Sequence, residues 1–115
     1  MISYTIYQIK SDEARNYGFN SLELFRKLTG QDGSIDLGSI YTKVYAGELT
    51  SPGTGNKGYQ YSRALETLFY RFNQCHPSDY VGRSMSVGDI VRLGSTYYYC
   101  DSFGWKKVRV RNIVQ

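Results

Sequence analysis

The sequence has one histidine, one tryptophan, two cysteines, two prolines and two methionines. A lone imidazole, His76, and two widely separated thiols, Cys75 and Cys100, give no metal-ligand spacing. The glycine-rich run from Ser51 to Gly58 lacks the GK[ST] ending of a phosphate-binding loop, and no nucleophile elbow is present. No motif calls for a cofactor. No apolar run approaches the length that crosses a bilayer, and no basic leader precedes an apolar segment. These absences lead us to expect a cytoplasmic protein with no membrane role, in which a reducing environment keeps both cysteines as free, packed thiols.

What the chain has in excess is tyrosine, 12 in 115 residues, alongside 5 phenylalanines. A tyrosine ring packs like a hydrocarbon while its hydroxyl reaches for water, so this richness suits either a core built on strands or a binding face. The net charge of +4 is modest, but its placement is informative. Acids and bases balance as far as Trp105, and the whole excess is Lys106, Lys107, Arg109 and Arg111. The expectation is one neutral domain over residues 1–115 with a basic terminal strand.

Along the chain, Ile2 to Ile9 alternates as a half-buried strand does. Asn20 or Ser21 is placed to cap a short helix whose apolar face is Leu22, Leu24, Phe25 and Leu28, and Gly30 is placed to end it. Gln31 to Gly38 reads as a loop, Ser39 to Leu49 as a second strand, and Thr50 to Gly58 as a loop. Tyr61, Leu65, Leu68, Phe69 and Phe72 form the stripe of a core helix from about Ser62 to Gln74, which Pro77 cannot continue. Met85 to Leu93, Tyr97 to Cys100 and Trp105 to Val110 then read as three strands of a meander, joined by Gly94-Ser95 and by a turn at Asp101 to Gly104. The pattern predicts an α+β fold, a small antiparallel sheet of about four to five strands with two helices packed on one face.

The candidate chemistry is sparse. Any acid–base scheme near neutral pH would need His76, with Asp79 and Ser78, Ser84 or Ser86 nearby in sequence. The simpler expectation is that His76 caps the helix end and that Asp79 tightens the following loop. Asp89 stands among apolar neighbours and is expected to accept from backbone N–H groups of the Ser84 to Gly88 turn, while Asp101 sets the turn to Gly104. On the last strand Trp105, Lys107, Arg109 and Arg111 share one face, beside the strand of Tyr97 and Tyr99. Such a face can follow a phosphate backbone with rings stacking on bases, meet an acidic protein surface, or protect a sheet edge from pairing.

Several of these residues carry a resemblance. Phe72-Asn73, His76-Pro77, Asp79, Gly82, the segment Ser84 to Asp89 including Ser86, and Asp101 to Trp105 with Gly104, together with the opening Tyr4 to Lys10, resemble the YodL-like domain. Gly88 stands where that family usually has serine, and Asp32 to Gly58 aligns poorly. The resemblance implies a product of a bacterial conjugative element, plasmid or phage. It further implies a non-enzymatic anti-defence role, blocking a host CRISPR or restriction nuclease, with nucleic-acid binding that regulates the element as the alternative.

Overall fold

The structure is a computed structural model, and it describes residues 1–13, 17–30, 33–50, 55–80 and 82–113. In chain order the elements are β1 (Ile2–Ile9), α1 (Leu22–Thr29), β2 (Ser34–Asp36), α2 (Leu37–Ile40), β3 (Tyr41–Leu49), α3 (Lys57–Gln74), β4 (Ile90–Leu93), β5 (Thr96–Cys100) and β6 (Trp105–Arg111). The strands form one sheet in the order β2-β6-β5-β4-β1-β3. Every pairing is antiparallel except β2 with β6, which is parallel.

Local chemistry explains the element ends. The Ser21 side chain accepts from the Leu24 N–H, and Gly30 closes α1 in the left-handed conformation. Asn56 caps α3 by accepting from the Tyr59 N–H. Gly94 at φ 60° supplies the tight β4–β5 hairpin.

The sheet separates two cores. On one face α3 lays Leu65, Leu68 and Phe72 over Tyr4, Ile6, Val91 and Leu93. On the other, α1 and α2 lay Phe25, Leu37 and Ile40 over Tyr7, Ile9, Ile90, Tyr97 and Tyr99. Helices therefore cover both faces, not one, and the described residues hold three helices and six strands in a mixed sheet. A strand inside such a sandwich has no solvent side. β1 is accordingly buried on both faces from Tyr4 to Ile9 instead of half-buried.

Other boundaries differ for equally local reasons. Residues 37–40 are helical because Asp36 caps the Ser39 N–H, so β3 starts at Tyr41. A bulge at Val44 lets Tyr41 serve the α1 side and Tyr45 the α3 side of the same strand. β2 lies in a stretch expected to be loop, held to β6 by Arg111 donating to the Ser34 carbonyl at 2.5 Å and by Asn112 donating to Asp36. Gly38 makes this join possible, since a Cβ there would stand 2.6 Å from the Asn112 carbonyl oxygen. Helix α3 starts earlier than its stripe suggested. Of the loop expected from Thr50 to Gly58, residues 51–54 lie outside the described residues. On α1 only Leu22 and Phe25 are buried, while Leu24 and Leu28 face solvent.

Candidate functional site

Two of the motif residues, Asp89 and Asp101, organise the loops on either side of the β4–β5 hairpin. Residues 83–89 are not a strand: only Ile90–Leu93 pairs, and the preceding stretch is a loop folded around the Asp89 carboxylate. Its Oδ2 accepts from the Ser86 N–H at 2.9 Å and from the Gln8 amide at 3.1 Å, and its Oδ1 meets the Arg83 guanidinium at 3.1 Å. The Gln8 amide and the Tyr80 hydroxyl both donate to the Arg83 carbonyl. Asp89 is fully buried, and burial raises its pKa to about 6 against the lowering effect of Ser86, Arg83 and Gln8. Gly88 beside it sits at φ 104° with the Phe19 N–H 3.3 Å from where a Cβ would stand, a position only glycine fills without strain.

Asp101 does comparable work on the next turn. Its backbone N–H donates to the Gly104 carbonyl, and its Oδ1 accepts from the Ser102 N–H at 2.8 Å and the Leu22 N–H at 3.1 Å. It thus sets the β5–β6 turn, as its sequence position implied, and also anchors the start of α1.

Between this turn and α3 lies a groove of about 560 Å³ lined by Glu66, Phe69, Tyr70, Asn73, Val87 and Trp105, with Cys100 and Asp101 among its other walls. Phe69 and Trp105 meet edge to face at 6.4 Å and 83°. Tyr70 is 66% exposed, and Phe103 at the tip of the turn is 90% exposed. The groove went unseen in sequence because its walls come from α3, the Asp89 loop and the β5–β6 turn. Its one advance sign was the clustering of the rare residues.

The thiols differ sharply. Burial pushes Cys100 up to about 12, so it stays protonated, whereas Cys75 at the end of α3 is exposed rather than packed. A thiol-alkylating reagent is expected to label one cysteine per folded chain, lost in Cys75→Ser, and a second only after unfolding. Comparable labelling of Cys100 in the native protein, read by mass spectrometry, would contradict this.

The remaining candidates scatter. Lys107 and Arg109 are exposed on the Trp105 face of β6, with Val108 and Val110 turned to the other core, as strand alternation required. Arg111 is occupied with Ser34, and Tyr97 and Tyr99 are buried on the opposite face from Trp105. Pairing decides this: Tyr98 stands opposite Lys107, so Tyr98, partly covered by Tyr61, is the tyrosine on that side. The Tyr99 hydroxyl donates to the Asn20 carbonyl at 2.7 Å, and burial raises its pKa well above the usual phenol value. His76 is exposed, with Nδ1 3.0 Å from the Pro77 carbonyl oxygen, and does not cap α3. Cys75 closes that helix instead. Asp79 accepts from the Tyr45 hydroxyl at 3.0 Å, tying the post-helix loop to β3. Phe72 is core, Asn73 donates back to the Phe69 carbonyl, and Ser84 is exposed. No group of three or more metal-ligating side chains occurs among the described residues. Among them no helix is long and apolar enough to cross a membrane.

A small α+β domain with a sheet covered on both faces, an aromatic groove and two loops set by Asp89 and Asp101 is the class this geometry defines. The family model for the YodL-like domain matches residues 3–110, and the chain belongs to that family. No curated protein and no solved structure matches it.

Proposed function

We propose that the domain is a non-enzymatic binding protein of a bacterial mobile genetic element, acting in the cytoplasm as an anti-defence factor that sterically covers a host CRISPR or restriction nuclease. The observation that carries this reading is that Trp105, which lines the aromatic groove, shares its face of β6 with the exposed Lys107 and Arg109. Aromatic anchors beside a charged rim are what a protein interface uses for affinity and for orientation respectively. The most suggestive reactive groups support binding over chemistry, since Cys100 is held protonated and His76 stands apart from the groove-lining residues.

The test is cleavage by a panel of such nucleases with and without the purified domain. The expected result is stoichiometric inhibition, weakened about tenfold or more by the double charge reversal Lys107→Glu/Arg109→Glu. Failure of the domain to associate with or slow any of them would sink the proposal. A second reading, direct nucleic-acid binding that regulates the element, is favoured by Lys106, Lys107 and Arg109, which make no ion pair among the described residues. It requires affinity to fall steeply with salt, with the slope reduced by about 1 for each phosphate contact removed.

A further inference from the structure

We infer that the groove between α3 and the β5–β6 turn is a cage for a cationic side chain, and that its occupant is a single arginine of the partner protein. The inference rests on the reading of the domain as a protein-binding module and names what the groove takes.

Three features converge. First, Phe69 and Trp105 stand at 83° with centroids 6.4 Å apart, forming two perpendicular walls, and the largely solvent-exposed Tyr70 ring also lines the site. Ring faces attract cations through their quadrupoles, and several rings around one cavity are the arrangement that does so best. Second, the charged residues lining the groove are Glu66 and Asp101, both acids. Glu66 makes no ion pair among the described residues, and the Asp101 Oδ1 is taken by two backbone N–H groups while its Oδ2 accepts no hydrogen bond among them. Third, Asn73 spends its amide N–H on the Phe69 carbonyl, leaving its side-chain oxygen as a further acceptor.

Aromatic faces, two carboxylates and an amide oxygen match a guanidinium, which has five N–H donors and a flat, weakly hydrated face that stacks on rings. An ammonium is more strongly hydrated and fits a mostly apolar groove less well. Inside the groove a phosphate would meet two carboxylates and no cation, so the groove itself takes a cationic group. The volume of about 560 Å³ accommodates one long side chain with its flanking backbone.

Trp105 is the only tryptophan, so its fluorescence reports on the groove directly. The probes are three capped glycine/serine peptides that differ in one central residue: arginine, lysine or the neutral isostere citrulline. Calorimetry on the same peptides serves as a readout independent of Trp105. The arginine peptide is expected to change Trp105 emission and to bind at least about tenfold more tightly than the citrulline peptide, with lysine between them. Glu66→Gln and Tyr70→Leu, both at exposed positions, are each expected to weaken it about fivefold, and Tyr70→Phe to retain it. Equal binding of arginine and citrulline, equal binding of arginine and lysine, or no response to arginine by either method overturns the inference. Wild-type protein that inhibits a nuclease yet ignores arginine loses this inference and keeps the proposed function. Protein that binds arginine yet inhibits no nuclease does the reverse.

Discussion

Asp89→Ala is expected to lower the unfolding free energy by about 2 to 4 kcal/mol, the cost of leaving several donors without a buried acceptor while the partly exposed Arg83 can turn to water. In a domain of this size that is a fall in Tm on the order of 10 to 20 °C. The loss comes from what the carboxylate leaves behind: the Ser86 N–H, the buried Gln8 amide and the partly exposed Arg83 guanidinium all lose an acceptor. Asp89→Asn keeps an oxygen for Ser86 and Gln8 and the shape of the side chain but turns an NH2 toward the Arg83 guanidinium, so its cost should be smaller than that of Asp89→Ala. The two variants therefore separate loss of the Arg83 pairing from loss of the whole acceptor group.

The same residue gives the domain a pH dependence of defined sign. Its folded pKa of about 6 lies above the ordinary aspartate value of 3.8, so between these two the native state holds a proton that the unfolded chain has released. Stability from this group is full below about pH 4 and is lost as pH rises toward 6, by at most about 3 kcal/mol. In Asp89→Asn that fall should vanish. Melting curves from pH 4 to 7 check it, and an unchanged slope in the variant would assign the pH dependence to other groups.

Phe72→Ala is expected to cost about 3 to 5 kcal/mol, the usual loss for emptying a buried phenylalanine site. Its ring is fully buried and meets Tyr80 at 4.8 Å, Tyr45 at 5.4 Å and Tyr4 at 6.1 Å, so three strand or loop segments lose their common contact with α3. Phe69 lies one turn earlier on the same helix and is 39% exposed toward the groove. Phe69→Ala should cost only about 1 kcal/mol, because much of that ring already contacts water. Denaturant midpoints at unchanged slope measure both. Equal losses would place Phe69 in the core and leave the groove without one of its walls.

That contrast also shows where sequence reasoning reached and where it stopped. The stripe from Tyr61 to Phe72 identified α3, yet it could not tell that Phe69 leaves the core for a groove while Phe72 stays. The Met85 to Leu93 alternation looked like a strand. What broke it was the positive φ of Gly88 together with a carboxylate that satisfies the Ser86 N–H from the side, which removes the need for a pairing partner over that stretch. Tyrosine concealed the second core. Tyr7, Tyr41 and Tyr99 are among the largest fully buried side chains, and a residue that reads as half polar cannot announce burial on both sides of a strand. Assigning Tyr97 and Tyr99 to the same surface as Trp105 failed for a related reason, since only the β5–β6 register says which tyrosine stands with the basic run.

Features decided within a few residues were settled by the sequence itself. The caps of α1, the Gly94-Ser95 hairpin, the turn held by Asp101, the inward Val108 and Val110 and the outward Lys107 and Arg109 depend on backbone preference and on side chains bonding to adjacent main chain. The motif spacing likewise pointed to the family. The tertiary structure alone decided that helices cover both faces, that β2 joins β6 in parallel, and that an aromatic groove opens beside Trp105. Its anchors act over long distances in the chain: Asp101 holds Leu22 across 79 residues, and Gln8 holds Asp89 across 81. Such contacts form only once burial summed over the whole sheet has brought those segments together, and no local pattern encodes that sum.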